Sequence, residues 1–184
     1  CGTMGYIQSL IKRKFKDIGE KQYDKIKTEY AHFLVTEEEL EVPEIRKILL
    51  PLDIFANDVS DRCLDVLRTY DRAEINLIYL LDEKVTRIVG QIIGGDQMDH
   101  YVAQHKESGQ LVVDNVSSKI QNSGLRSRSS LYVGKKEDEI IRLSKTADLL
   151  VISRDYGEPT SELVPVSPLA QDITRKATTP VILY

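Results

Sequence analysis

The sequence has few of the residues that mark secreted, membrane-spanning or metal-binding proteins. It holds two cysteines in 184 residues, Cys1 and Cys63, so a disulfide framework is not expected and a reducing compartment fits. No apolar run approaches the roughly 20 residues of a transmembrane helix, and no signal peptide is recognised. His100 and His105 are five positions apart, a spacing that places them poorly for one metal ion. These absences predict a cytoplasmic protein without a metal site.

Signatures of catalysis and of nucleic-acid binding are also lacking. No Ser/His/Asp or Cys/His nucleophile pattern is recognisable. Gly94-Gly95 lacks the further glycines or the Lys-Ser/Thr pair of phosphate-binding loops, so it predicts a turn. The formal net charge of −4 gives no support for generic nucleic-acid binding. We therefore expect a protein that is not an enzyme and has no nucleic-acid partner.

The charge that is present is unevenly distributed, and it sets the N-terminal segment apart. Residues 1–36 carry seven Lys or Arg and four Asp or Glu, a net +3, which leaves −7 for the remainder. Residues 4–35 have helical periodicity with an apolar stripe. We predict a basic amphipathic helical extension over 1–43 and an α/β domain over 44–184. The stripe either packs on the domain or a partner subunit, or contacts a membrane or transporter, as in a cytosolic regulatory tail.

Beyond residue 43, apolar strands alternate with helical patterns. Five strands are predicted, over 48–50, 75–81, 125–133, 149–152 and 181–183. The pattern favours a three-layer, doubly wound, five-stranded parallel sheet covered by helices on both faces. Capping signals predict the helix boundaries. The first helix starts after Asn57 or Asp58, and a long helix over 97–122 ends before Gly124. The next helix starts at Glu137–Glu139, and the last starts at Ser167-Pro168.

Such folds bind ligands beyond the carboxyl ends of their strands, where the strand order reverses. Asp53 follows the first strand, and its carboxylate can accept hydrogen bonds from a base or ribose or, equally, cap the next turn. After the fourth strand, residues 153–157 lead through a polar loop to Ser167-Pro168 at a helix start, where free N–H groups can bind phosphate. These two segments are the candidate ligand site.

The order of these segments resembles the universal stress protein family over residues 46–184. The resemblance is carried by KILLPLD at 47–53, IYLLD at 78–82, ADLLVISR at 147–154 and RKATTPVIL at 175–183. It implies a sheet of the adenine nucleotide alpha hydrolase type. It also implies a homodimer formed through the last strand, Thr179–Tyr184, whose edge is apolar and uncovered.

In ATP-binding members of that family, adenine is held at positions that correspond to Pro51, Leu52, Asp53 and Leu80. The glycine-rich phosphate pattern falls on Arg154, Gly157, Ser167 and Pro168, and glycine remains only at the second of these. Arg154 adds bulk, although its cation could contact a phosphate. Pro168 has no N–H, and the Ser167 hydroxyl would satisfy the N–H groups that a phosphate requires.

We therefore predict a non-enzymatic regulatory or sensor domain that binds AMP, ADP or ATP weakly in a pocket with a degraded phosphate loop. The alternative is a ligand-free, dimerising interaction module, or the regulatory tail of a membrane transporter. Calorimetry with the three nucleotides distinguishes the first prediction from the second.

Overall fold

A computed structural model describes residues 44–93 and 95–184, without the side chains of residues 93–98. The predictions for the extension over 1–43, its apolar stripe at 4–35 and its membrane contact lie outside these residues. The division into 1–43 and 44–184 stays a prediction. The described strands are β1 (Lys47–Leu52), β2 (Glu74–Asp82), β3 (Arg126–Gly134), β4 (Leu149–Ile152) and β5 (Val181–Leu183). The helices are α1 (Asp61–Arg68), α2 (Glu83–Ile93), α3 (Gly95–Asn122), α4 (Lys136–Ser144) and α5 (Pro168–Lys176).

The five strands form one parallel sheet in the order β3-β2-β1-β4-β5. Side chains alternate between its faces because successive residues of a strand point in opposite directions. Ile48, Leu50 and Leu52 of β1 join a core under α1 and α3. Leu49 joins a second core under α4 and α5, which also holds Ile152. The predicted three-layer α/β fold with a five-stranded parallel sheet is confirmed.

The end of α3 shows how local sequence fixes an element boundary. Gly124 has a φ of +82°, which glycine adopts readily because it has no Cβ. Its N–H donates to the carbonyl of Gln121, and the Leu125 N–H donates to the carbonyl of Ile120. These are the two bonds of a Schellman motif, which satisfies carbonyls that the helix would otherwise leave free. The C-cap predicted at Gly124 is confirmed.

Two helix starts differ from the sequence predictions. The first helix is capped by Ser60, whose hydroxyl accepts from the Cys63 N–H at 3.2 Å, and not by Asn57 or Asp58. Asn57 instead donates from its side chain to the carbonyl of Ile54. The long helix begins at Gly95, two residues before the predicted start, so Gly95 is helical and not part of a turn. Gly94 lies outside the described residues.

One helix has no counterpart among the predictions. Helix α2 follows β2 directly, with Glu83 in its first turn, and the Asp82 side chain accepts from the Lys84 N–H at 2.8 Å. Its side chains Val85, Ile88 and Ile92 are 49%, 48% and 76% exposed. The spacing of these residues is helical, although no element was predicted over this part of the sequence. Within the described residues, no helix is both long and apolar enough to cross a bilayer.

Candidate functional site

The strand order reverses between β1 and β4, because β2 and β3 lie on one side of β1 while β4 and β5 lie on the other. The loops that leave two such neighbouring strands diverge to opposite sides and leave a crevice at the sheet's carboxyl edge. Asp53 follows β1 there, and residues 153–157 follow β4. The fold therefore brings together the two segments that the sequence singled out. We call the space between them the switch crevice.

Inside the switch crevice the carboxylate of Asp53 is fully engaged by the protein itself. Asp53 is 1% exposed. Its Oδ1 accepts from the backbone N–H groups of Phe55 at 2.9 Å and Ala56 at 2.7 Å. Its Oδ2 accepts from Lys136 Nζ at 2.7 Å and from the Gly157 N–H at 2.8 Å. Two acceptor bonds on each oxygen exhaust the capacity of a carboxylate, so Asp53 caps the turn after β1 and also ties three elements together.

Lys136 crosses the crevice from the start of α4 and is 9% exposed. Its ammonium forms the buried ion pair with Asp53 and lies 5.5 Å from the centroid of the Tyr156 ring, within cation–π range. A buried charge is tolerated when it is paired and hydrogen-bonded, as this one is. The Lys136 stem therefore fills space at the carboxyl edge of the sheet.

Tyr156 lies beneath that ion pair and is completely buried. Its hydroxyl has no hydrogen-bond partner among the described residues. Burial, followed by the negative charges of Asp53 and Asp82, holds the pKa of Tyr156 well above its ordinary value. Burial and Asp53 also raise the pKa of Tyr79. Both phenols are therefore protonated at neutral pH.

The loop after β4 is fixed by Gly157 and Ser167. Gly157 has a φ of +96°, and a Cβ at this position would lie 2.6 Å from Leu169 Cδ2. Ser167 is fully buried, and its hydroxyl accepts from the Ala170 N–H at 3.1 Å and donates to the Tyr156 carbonyl. Ser167 is thus the N-cap of α5 with Pro168 in its first turn, as predicted. The hydroxyl takes up an N–H group that an anion would otherwise find free.

The predicted binding residues stay a prediction, and the structure places them in different surroundings. Pro51 and Leu52 are buried within the sheet. Leu80, together with Ile54 and Lys136, lines a cavity of about 80 Å³. That volume is far below the roughly 300–1,000 Å³ of small-molecule pockets. Arg154 lines a different and larger cavity, and Gly157 and Ser167 are engaged within the protein.

The larger space, which we call the open cavity, measures about 630 Å³ and shares residues 153–155 with the switch crevice. Its lining is mostly polar, and its polar groups bond one another. Asp155 Oδ1 accepts from the Thr160 N–H at 2.9 Å and from the Thr160 hydroxyl at 2.5 Å. The Tyr184 hydroxyl donates to the Asp58 carbonyl at 3.3 Å. The full lining is Phe55, Ala56, Asn57, Asp58, Ser60, Ser153, Arg154, Asp155, Thr160, Ser161, Pro165 and Tyr184.

Lys136 and Tyr156 are the residues that sequence reasoning missed. Lys136 stands at a helix start among charged neighbours, Lys135 and Glu137, where an exposed side chain is the ordinary expectation. The one signal in the sequence is that Gly134 closes β3, so that a lysine two residues later lies at the edge of the sheet where Asp53 follows β1. Recognising it requires knowing that β3 is only two strands away from β1.

Neither the protein-family models nor the curated proteins match this sequence, but solved structures match the fold. The hypothetical protein MJ0577 is 16% identical with a TM-score of 0.61, covering 77% of this chain and 96% of its own. Universal stress protein UspA from Lactobacillus plantarum is 16% identical with a TM-score of 0.52, covering 77% and 99%. A universal stress protein in complex with cAMP is 13% identical with a TM-score of 0.50, covering 77% and 98%. The predicted resemblance to universal stress proteins is confirmed as a shared fold.

Proposed function

We propose that this chain is a non-enzymatic regulatory or sensor domain with the universal stress protein fold, and that it binds adenine nucleotides at best weakly. The observation that carries this proposal is the state of Asp53. Its two oxygens already accept four hydrogen bonds from within the protein. A nucleotide could bond to Asp53 only after displacing a donor, and breaking a buried pair costs several kcal/mol.

One further observation supports weak rather than tight binding. Ser167 takes up an N–H group at the start of α5, and Pro168 supplies none, so the helix start offers few donors to a phosphate.

A structural neighbour has been solved with cAMP, which makes an adenine nucleotide the ligand class to test. The open cavity, at about 630 Å³, has the volume of a small-molecule pocket and includes the cation of Arg154.

Isothermal titration calorimetry with ATP, ADP and AMP tests this proposal. We expect dissociation constants above about 100 μM for all three, equivalent to less than about 5.5 kcal/mol of binding free energy. We also expect no nucleotide hydrolysis above background when ATP is incubated with the protein. A low-micromolar ATP affinity, lost on Arg154→Ala, would contradict the proposal, and so would stoichiometric turnover of ATP.

We propose in addition that the domain acts through contacts with a second copy of itself at strand β5. Among the described residues, β5 pairs with β4 alone, so its other edge presents unpaired backbone groups. Apolar side chains surround that edge, with Leu183 37% exposed, Val164 46% and Leu163 94%. An apolar patch beside an open strand edge is a suitable surface for strand pairing.

Light scattering at increasing protein concentration tests the self-association. We expect a dimer at micromolar concentrations, weakened by Leu183→Lys, which places a charge at the proposed interface. The matched control is Leu111→Lys, because Leu111 is 61% exposed on α3, away from β5. A monomer at all concentrations, or equal effects of both substitutions, would contradict dimerisation through β5. The alternative of a transporter tail depends on residues 4–35, which lie outside the described residues.

A further inference from the structure

The buried ion pair at the switch crevice has a feature that a purely structural pair does not require. Three of the four donors to Asp53 are backbone N–H groups of the adjoining loops, which fix the carboxylate in place. The fourth is Lys136 Nζ, at the end of a flexible four-carbon stem from another element. The lysine is therefore the donor that can leave while the carboxylate stays where it is.

The lysine also stands between two spaces. Lys136 lines the cavity of about 80 Å³ beside Leu80 and a second cleft of about 520 Å³ that opens beside Lys84 and Arg87. Asp82 is the other residue common to both linings. Rotation of the Lys136 stem out toward the cleft would join the two spaces and leave Asp53 Oδ2 with an unfilled acceptor position.

We propose that Lys136 is an internal plug that competes with a ligand for Asp53, so that the switch crevice is closed by the protein's own ammonium group. A ligand that replaces this group must donate a hydrogen bond to Asp53. It must also fit against the apolar side chains of Leu80 and Ile54 and the face of Tyr156. A flat aromatic ring that carries an amino group meets both requirements, and the adenine of AMP is such a ring.

This inference rests on the proposed weak binding of adenine nucleotides and explains why that binding is weak. When an internal group competes with the ligand, the apparent affinity equals the intrinsic affinity multiplied by the fraction of molecules in which the crevice is open. Removing the plug removes that factor. Loss of Lys136 should therefore strengthen binding, whereas loss of a lysine that contacts the ligand should weaken it.

The test is calorimetry with AMP on the wild-type chain and on Lys136→Met, which keeps the apolar stem and removes the ammonium. We expect at least a tenfold tighter dissociation constant for Lys136→Met. The matched control is Lys135→Met, which removes the same charge from the same cleft. Lys135 is 74% exposed and lies 3.9 Å from Asp138, so it does not reach the crevice. Its AMP affinity should equal that of the wild type.

Two more variants keep the test decisive. Lys136→Gln retains an N–H donor for Asp53 and maintains the fold if Lys136→Met does not; we expect it to bind AMP at least threefold more tightly than the wild type. The double variant Asp53→Asn/Lys136→Met should lose the gain, because the amide no longer offers a charged acceptor. A folded Lys136→Met or Lys136→Gln that binds AMP no better than Lys135→Met overturns the plug and leaves the proposed function standing. Micromolar AMP affinity of the wild-type chain, reduced in both Lys136 variants, overturns both proposals.

Discussion

The switch crevice and the open cavity adjoin at the carboxyl edge of one sheet. Their charged side chains differ in burial: those of the crevice are buried and paired, and those of the cavity are partly or fully exposed. In the crevice, Asp53 and Lys136 are 1% and 9% exposed and bond each other. In the cavity, Asp155 bonds within its own loop to Thr160 and stays partly exposed, and Arg154 is exposed. The difference predicts that removing a single polar side chain costs more stability in the crevice than in the cavity, which is open to solvent.

Substituting one aspartate in each region gives the strongest test of this comparison. Asp53→Ala should lower the free energy of unfolding by about 3–5 kcal/mol, because it leaves Lys136 as an unpaired buried charge and three N–H groups without their acceptor. Asp155→Ala removes two hydrogen bonds from a partly exposed side chain and should cost about 1–2 kcal/mol. Urea denaturation of both variants measures the difference. Equal losses would mean that the crevice is no more important for stability than the cavity.

Two glycines with positive φ provide the next test. Gly157→Ala should cost about 2–4 kcal/mol, since it adds the strain of a left-handed residue to a clash with Leu169 at the crevice wall. Gly124→Ala should cost about 1–2 kcal/mol, because its φ is similar but a Cβ there would meet nothing within 4 Å beyond its chain neighbours. The difference between the two urea midpoints isolates the clash. A Gly124→Ala loss as large as that of Gly157→Ala would assign the whole effect to backbone strain.

The sheet and several helix ends could be predicted from the sequence, whereas one helix could not. The sheet was predictable because continuous apolar strands such as Leu149–Ile152 alternate with helical patterns, and burial on both faces requires that composition. The caps at Gly124 and Ser167 were predictable because they depend on neighbours within five residues. Helix α2 was not predicted, although Asp82 caps its start and its apolar side chains have helical spacing, because it follows β2 directly and no turn residues mark the boundary.

The site was only half predictable, for a different reason. Asp53 and the loop after β4 were singled out by position in the fold, whereas the occupancy of the Asp53 carboxylate was not foreseen. Its partner Lys136 lies 83 positions away in the sequence. A pairing of this kind depends on strand order and side-chain reach, which local patterns do not contain. Whether the Asp53 carboxylate is free to accept hydrogen bonds from a base or ribose, or caps the next turn, therefore depends on contacts that only the structure shows.

The two serine N-caps allow the stability of the crevice and the cavity to be compared with a smaller expected effect. Ser167, at the crevice, caps α5 and also donates to the Tyr156 carbonyl, so Ser167→Ala should cost about 2 kcal/mol from the lost cap and a buried carbonyl left unpaired. Ser60, at the cavity, caps α1 through one bond and should cost about 1 kcal/mol when replaced by alanine. Thermal unfolding of the two variants measures both losses. A larger loss at Ser60 would reverse the assignment of stability to the crevice.

The smallest expected effect concerns Cys63, which is buried on α1, the helix whose cap residue Ser60 lines the open cavity. Burial raises the pKa of Cys63 to about 12 from its ordinary value of 9.0. The native thiol therefore keeps its proton where the unfolded thiol loses it, so its contribution to stability is complete below pH 9 and declines as the pH rises from 9 toward 12. The loss should be on the order of 1 kcal/mol by pH 10.

Urea midpoints between pH 8 and 10.5, compared for the wild type and Cys63→Ala, measure this contribution, since the variant lacks the titrating group but retains all others. We expect the wild-type curve to fall more steeply with pH than that of the variant. Burial also raises the pKa of Tyr184, at the cavity lining, and adds a decline of the same sign to both curves. Parallel curves would contradict the raised pKa of Cys63. They would indicate that water reaches its thiol, so that α1 is less tightly packed on the cavity side than the crevice is.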